Sequence, residues 1–426
     1  MIAARDIALP GRSVPVPMTA SLAERILLIV LYVTMLTSSI AFVEPSPHDF
    51  FVGLVAVACL AAGVRFQRPI ALLFLLLLIW NVAGLMALLN VPGREQTIQF
   101  TATSIYLFLA AVIFACVLSQ NTMSRLAAMR TAYIASAVFT ALAGIAGYFH
   151  AFPGAFDLFT QNDRAMGTFK DPNVYAPYLI WPALIIMSRI VLQRVRLRDL
   201  VLLGILLVGL LLSFSRGAWV VFGIAAAISF GIFMVTTPTP RMRFRIICYC
   251  AVGFAVLAAF VAVLLSIDSV KEMFEIRAHA IQFYDVGQGG RFRLQELAVS
   301  ALLKFPNGMG PFEFGHVHGQ QQHNVYLQGF LVYGWVGGIA YILAVLATLA
   351  VAWRSMFDST PWQPYLVTAF AAFTGNALEG AVVDTDHWRH FFLLMGVVWG
   401  LYAATLKHRR AQAAPFAASV AAPQAI

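Results

Sequence analysis

Runs of mainly apolar residues follow one another along almost the whole 426-residue chain, and these runs decide the fold class. A helix needs about 20 such residues to cross a bilayer. Only 11% of the residues are charged, whereas soluble domains carry roughly 25%. The sequence therefore predicts an all-α, polytopic membrane protein with no room for a separate soluble domain.

About twelve transmembrane helices are expected on this rule. They lie near 24–43, 50–64, 69–89, 99–118, 131–150, 174–193, 199–214, 217–236, 246–266, 324–352, 365–383 and 390–406. The second and the seventh are short, so tilt or local bilayer thinning would have to accommodate them. The predicted organisation is a cytoplasmic segment (1–23), a transmembrane domain (24–406) and a disordered tail (407–426).

The cysteines and the N-terminus exclude two other interpretations. Cys59, Cys116, Cys248 and Cys250 all fall inside predicted spans, which favours small apolar packing residues over disulfides or metal ligands. No apolar run precedes the first span, so the N-terminus does not resemble a cleavable signal peptide.

The formal net charge of +9 is best explained by topology rather than by a nucleic-acid partner. With both termini in the cytoplasm, 18 of the 28 Lys and Arg residues fall on the cytoplasmic side and 10 on the outer side. Five of those ten lie in one long loop, 267–323, which the positive-inside rule counts only weakly. The rule therefore supports twelve spans with both ends inside.

This topology brings basic residues from separate connections to the same outer face. They are Arg164, Lys170, Arg216, Arg291 and His323. Within the long loop, apolar residues recur at helical spacing over Phe292–Lys304, which predicts an amphipathic helix with Arg291 at its N-terminal end. Residues 270–284 are compatible with a second, interfacial helix.

Two basic motifs stand beside predicted spans. Arg164 and Lys170 could bind phosphate, with Gly167 allowing close backbone approach, although an ordinary polar loop is the preferred interpretation from the residues alone. Arg216, in Ser213–Gly217, has almost no loop into which it can extend. An arginine at the membrane surface is costly, so it indicates either a functional site or a snorkelling side chain.

Three further motifs each admit a structural as well as a functional interpretation. His316, His318 and His323 have irregular spacing for zinc, which favours one histidine, His323, as a base or hydrogen-bond donor. Asp384 and Asp386 resemble a metal-binding DxD, but Arg389 stands nearby and a solvated loop is the preferred interpretation. The glycines between Gly334 and Gly338 are interpreted as helix-packing residues.

At these positions the sequence resembles the O-antigen ligase family. His323-Asn324, followed after nine residues by Gly334-Trp335-Val336-Gly337, matches the family signature H-[NSQ]-x9-G-x-x-G. Further family motifs lie earlier in the chain and in the order expected for the family. They are Gly167-Thr168-Phe169-Lys170-Asp171-Pro172-Asn173, Ser213-Phe214-Ser215-Arg216-Gly217, Gly290-Arg291 and Gly308-Met309-Gly310. The superfamily also contains Wzy-type polymerases of O-antigen and exopolysaccharide.

The resemblance implies a metal-independent transferase in the inner membrane of a Gram-negative bacterium, with its active face in the periplasm. The donor would be a glycan on undecaprenyl diphosphate. The acceptor would be lipid A–core for a ligase, or a lipid-linked glycan for a polymerase. No cofactor is expected, and membrane lipids are the other partners.

The chemistry of the residues agrees with this expectation. Without a metal, arginines must neutralise a diphosphate leaving group, so Arg216 and Arg291 would hold it with help from Arg164. His323 would act as general base on the acceptor hydroxyl, and single displacement would invert the anomeric centre. Lys170, Asn173 and Asn324 are possible supporting residues.

One rival function belongs to another class. A flippase or transporter for the same lipid-linked glycan would also need basic outer residues, but it would carry more charges deep within its spans. In this sequence Glu379 is almost the only charged residue that lies deep within a predicted span.

Overall fold

The computed structural model describes residues 21–89, 91, 95–277, 287 and 290–421, with the backbone alone for 414–421. Regular structure in this part of the chain is almost entirely helical, which confirms the all-α, polytopic class. The exception is one antiparallel pair of two-residue strands, β1 (Thr160–Gln161) and β2 (Arg164–Ala165).

The α-helices follow in chain order. They are α1 (Leu22–Leu36), α2 (Pro47–Ala61), α3 (Ala71–Leu88), α4 (Glu95–Leu118), α5 (Thr122–Tyr148), α6 (Ala155–Phe159), α7 (Pro172–Leu192), α8 (Leu197–Leu212), α9 (Arg216–Thr236), α10 (Pro240–Leu264), α11 (Asp268–Arg277), α12 (Arg291–Lys304), α13 (Glu313–His318), α14 (Val325–Ser355), α15 (Gln363–Glu379) and α16 (Arg389–Ala421). A 3₁₀ turn, Arg68–Ile70, leads into α3.

Every predicted span coincides with a helix, but the helices differ in length. Eight in the described part of the chain are long and apolar enough to cross a membrane. The other four, α1, α2, α8 and α15, have 15, 15, 16 and 17 residues. At about 1.5 Å per residue the longest of them covers roughly 25 Å, against a hydrocarbon core of about 30 Å. The polytopic class is therefore confirmed, while the number twelve stays a prediction.

Helix packing positions the loops that carry the polar motifs. α7, α9 and α15 pack against one another, so the N-terminal ends of α7 and α9 lie beside the C-terminal end of α15. On the other side of the bundle α3 packs against α14, and α4 packs against α16. The two groups of helices are joined by the contact of α16 with α15.

The long loop folds largely as the sequence predicts. α12 buries Leu294, Ala298 and Ala301 against Phe314 and Leu331, which confirms the amphipathic helix and places Arg291 at its first position. α11 covers the first part of the predicted interfacial helix, and the rest of that prediction lies outside the described residues.

The chain ends are described only in part. The last helix continues to Ala421, so the backbone is helical where a disordered tail was predicted from 407. The segment is rich in alanine, the strongest helix former, which accounts for the difference. Residues 1–20 and 422–426 lie outside the described residues.

Gly334 interrupts α14 and receives the turn that follows α12. Its backbone angles, φ 68° and ψ −176°, are not helical. The amide of Trp335 donates to the carbonyl of Pro306 (2.8 Å), and the amide of Met309 donates to that of Leu331 (2.6 Å). A Cβ at Gly334 would lie 2.7 Å from the Pro306 carbonyl oxygen. Gly334 therefore receives a loop and is not a helix-packing residue as the sequence indicated. The packing interpretation does hold at Gly337, where a Cβ would lie 3.1 Å from the Cβ of Ala83 in α3.

We expect Gly334→Ala to destabilise the protein. The backbone conformation at this position is essentially restricted to glycine and costs other residues about 1–3 kcal/mol, and the added methyl would also separate the turn from α14. The measurement is the thermal unfolding midpoint in detergent. Gly253→Ala in α10 is the matched control, because a Cβ there has nothing within 4 Å. Equal midpoints for the two variants would contradict this role for Gly334.

Candidate active site

Three helix N-termini meet at one cavity of about 310 Å³, which we call the arginine cavity. α9 begins at Arg216, α12 begins at Arg291, and Asn173 is the second residue of α7. The cavity is lined by Asn162, Arg164, Asn173, Phe214, Ser215, Arg216, Gly217, Arg291, Glu379, Val382 and Val383. Helix N-termini carry partial positive charge and unsatisfied amide donors. Together with three guanidinium groups they make this cavity suited to an anion.

A tight hairpin presents Arg164. Asn162 and Asp163 both have positive φ, 51° and 57°, as a type I′ turn between β1 and β2 requires. The Arg164 side chain is buried, and its Nε donates to the carbonyl of Ser213 at 2.8 Å. Its Nη2 donates to Oδ1 of Asn173, also at 2.8 Å. Arg164 therefore ties the turn before α9 to the first turn of α7.

Asn173 joins the same hydrogen-bond network, as expected of a supporting residue. Its Oδ1 accepts from the Ser215 hydroxyl at 3.0 Å as well as from Arg164. Its own amide is capped by Oδ1 of Asp171. Gly167 has a different role from the predicted one. A Cβ there would lie 2.4 Å from Oγ1 of Thr140, so the close backbone approach is to α5 and not to a phosphate.

Glu379 is the only carboxylate among the residues that line the arginine cavity. It is 3% exposed, and its oxygens have no hydrogen-bond partner among the described residues. A Cβ at Gly217 would lie 2.5 Å from its Oε1, so glycine after Arg216 leaves room for this carboxylate beside the start of α9. The sequence marked Glu379 as a charge within a span but gave no sign of this contact.

His323 does not line the arginine cavity, but it lies beside the connection between α15 and α16, whose residues Val382 and Val383 do line it. Its Nδ1 is 3.4 Å from Oδ2 of Asp384. Burial raises the pKa of Asp384, and the hydrogen bond from His323 partly opposes that shift. Gln295 of α12 donates to the carbonyls of His323 (3.4 Å) and Ala381 (3.2 Å), which holds the two segments together.

The connection between α15 and α16 is not the solvated loop that the sequence indicated. Asp386 is 3% exposed, lies 3.2 Å from Nδ1 of His387 and accepts a hydrogen bond from Gln328. Arg389 pairs with Asp49 at 2.7 Å, so it does not neutralise the aspartates. The aspartates are instead paired with histidines, which no short-range pattern could reveal. Over the described residues no group of three or more His, Cys, Asp or Glu is arranged to hold a metal ion.

The two remaining predicted residues lie away from the arginine cavity. Lys170 is half exposed and pairs with Glu44 at 3.1 Å. Asn324 caps α14, its Oδ1 accepting from the amides of Tyr326 and Leu327. Asn324 therefore supports His323 by fixing the start of the following helix.

The fold and the site together define a polytopic membrane protein with an arginine-lined cavity and a histidine–aspartate pair at one end of its helical bundle. A family model described as O-antigen ligase matches residues 201–342, which include Arg216, Arg291, His323 and Gly334. This match confirms the resemblance of residues 201–342 to the O-antigen ligase family, whose enzymes are glycosyltransferase-like ligases and polymerases. No curated protein matches the chain.

The His387–Asp386 pair predicts a pH-dependent stability. Burial lowers the pKa of His387, but the Asp386 carboxylate and the Phe100 carbonyl outweigh it, so the net shift is upward. A histidine whose pKa is raised by folding stabilises the folded state at pH values below its pKa in the unfolded chain, about 6.5. This stabilisation is lost as the pH rises through the pKa of the folded state. The thermal midpoint in detergent should fall from pH 6 to pH 9, and less steeply in His387→Gln. His150→Asn, at an exposed site, is the control and should keep the wild-type slope. Equal slopes for wild type and His387→Gln would contradict the assignment.

Proposed function

We propose that this protein is an O-antigen ligase-type glycosyltransferase. It moves a glycan from undecaprenyl diphosphate to a sugar hydroxyl of lipid A–core, on the periplasmic face of the inner membrane, with both termini in the cytoplasm. The observation that carries the proposal is the arginine cavity, in which Arg164, Arg216 and Arg291 line one space with the starts of α7, α9 and α12. The positive-inside distribution of charge supports the orientation.

Arg216 and Arg291 hold the diphosphate in this scheme. Guanidinium groups bind phosphate oxygens in bidentate geometry, and the helix N-termini add amide donors. Together they stabilise the negative charge that develops on the departing diphosphate. Arg164 already donates to Ser213 and Asn173, so its main contribution is to fix the turn that carries Arg216.

His323 takes the proton from the acceptor hydroxyl. Asp384 lies beside Nδ1 and favours the tautomer in which that nitrogen carries the hydrogen, leaving Nε2 to accept a proton. The acceptor oxygen attacks the anomeric carbon as the bond to the diphosphate breaks, which inverts that centre. A positioned base of this kind contributes about 10²–10⁴-fold.

Glu379 does not act as the base in this scheme. It faces the same cavity as the arginines, where an acceptor hydroxyl would have to displace the diphosphate to reach it. The polyprenyl chain enters beside Phe214, Val382 and Val383, the apolar residues of the cavity wall.

The arginine variants test the diphosphate site. Arg216→Ala and Arg291→Ala should each lower transfer at least 100-fold with normal membrane accumulation, because a charge-assisted contact to the leaving group is lost. Arg293→Ala is the matched control, since Arg293 follows closely on α12 but is exposed and pairs with Glu296. Transfer is measured with purified protein in nanodiscs. Wild-type rates in both cavity variants would contradict the proposal.

The histidine variant tests the base. His323→Asn should abolish transfer, and asparagine is chosen because it tolerates the left-handed φ of 48° at this position. Asp384→Asn should lower the rate less and alter the pH–rate profile. Glu379→Gln should retain a wild-type pH limb for the base. If His323→Asn keeps full activity and Glu379→Gln removes the pH limb, Glu379 is the base.

A deletion strain tests the reaction as a whole. Loss of the lipopolysaccharide ladder, with long glycan retained on undecaprenyl diphosphate, is the expected result for a ligase. Core carrying a single repeat unit would identify an O-antigen polymerase, and missing exopolysaccharide an exopolysaccharide polymerase. Lipid-linked units trapped on the cytoplasmic side would identify a flippase and would overturn the proposal.

A further inference from the structure

A second cavity, of about 710 Å³, lies at the same end of the bundle as the arginine cavity. The connection between α15 and α16 lines both, through Val383 in the arginine cavity and His387 in this one. Gln96 and Gln99 of α4 form part of its wall, and we call it the glutamine cavity. Its volume falls within the roughly 300–1,000 Å³ typical of small-molecule sites.

One side of α4 presents a polar stripe to this cavity. Gln96, Gln99, Thr103 and Tyr106 recur at intervals of three, four and three residues, and all line the cavity. The stripe extends about 15 Å along a helix that rises about 1.5 Å per residue. Polar side chains on a membrane helix are retained where they face water, a cavity or a ligand. The residues that α4 buries, among them Thr97, Thr101 and Ser104, lie at other positions around the helix, so its packing does not account for Gln96, Gln99 and Thr103.

The chemistry of the glutamine cavity differs from that of the arginine cavity. Its ionic groups are paired, Asp49 with Arg389 at 2.7 Å and Glu44 with Lys170 at 3.1 Å. What remains is amide and hydroxyl groups beside aromatic rings. Phe100 lies 5.3 Å from Phe312 and 3.9 Å from the His387 ring, measured between centroids. Amides, hydroxyls and aromatic faces suit an uncharged sugar better than a phosphate.

The His323–Asp384 pair lies between the two cavities along the chain. Val383 borders the arginine cavity, Asp384 pairs with His323, and His387 borders the glutamine cavity. The four residue-to-residue steps from Val383 to His387 span at most about 14 Å. A general base that joins two substrates has to lie near both sites, and the pairing with Asp384 places His323 beside the connection that borders both cavities.

We propose that the glutamine cavity binds the acceptor, an uncharged sugar of a glycolipid, with a hydroxyl directed towards His323. This inference rests on the proposed function. His323 takes the hydroxyl proton, the acceptor oxygen forms the new bond to the anomeric carbon, and the bond from that carbon to the diphosphate oxygen breaks. The bonding pair leaves on the diphosphate, which stays with Arg216 and Arg291.

The double variant Gln96→Ala, Gln99→Ala tests the acceptor site. Both glutamines are exposed, and alanine favours the helix, so folding should be preserved. The donor is the lipid-linked glycan extracted from a deletion strain, and the acceptor is that strain's lipid A–core or, in a second arm, its lipid-linked repeat units. KM for the acceptor should rise about tenfold or more with an unchanged donor KM, as expected for lost sugar hydrogen bonds. Gln320→Ala, an exposed glutamine outside both cavities, should match wild type.

Two results would overturn the inference and leave the proposed function intact. One is an unchanged acceptor KM in the double variant, with normal transfer by wild type. The other is a raised donor KM alone, which would place the donor glycan in this cavity. Should the double variant accumulate poorly, Thr103→Val alone gives the same comparison. Absence of transfer by wild type in both acceptor arms would instead defeat the proposed function.

Discussion

The convergence of positive charge at one end of an apolar bundle is the constraint on which the rest of the structure depends. Three arginines and three helix N-termini share a cavity of about 310 Å³, and the described residues that line it include a single carboxylate. Such a concentration is unfavourable unless an anion or a counter-charge offsets it. Glu379 is that carboxylate, and the glycine after Arg216 leaves room for it beside the start of α9.

The surrounding structure keeps that cavity in shape from several sides. Arg164 ties the turn before α9 to α7 through Ser213 and Asn173. The 306–309 turn docks onto Gly334 and so fixes the C-terminal end of α12. Arg291 lies at the N-terminal end of the same helix. These contacts join loops that are distant in sequence. Gly334, the first glycine of the family signature, therefore affects the site through backbone geometry and not through a side chain.

Hydropathy predicted the helices because each span is a local property of the chain, and charge placement predicted the arginines because basic residues are rare in outer loops. The partners of the candidate site residues could not be predicted in the same way. Asp384 lies 61 residues from His323, and Glu379 is far along the chain from Gly217. Similarly, Gly334 has the sequence context of a packing residue, and only the fold shows the turn that it receives. Lys170, which resembled a phosphate ligand, pairs with Glu44 instead.

The proposed function requires the arginine cavity to bind the diphosphate of a lipid-linked donor. The most direct measurement is the affinity of purified protein in nanodiscs for undecaprenyl diphosphate and for undecaprenyl monophosphate, with Arg293→Ala as the control for charge alone. The account predicts tighter binding of the diphosphate, lost in Arg216→Ala and Arg291→Ala and kept in Arg293→Ala. Equal affinity for the two lipids, or equal loss in all three variants, would contradict it.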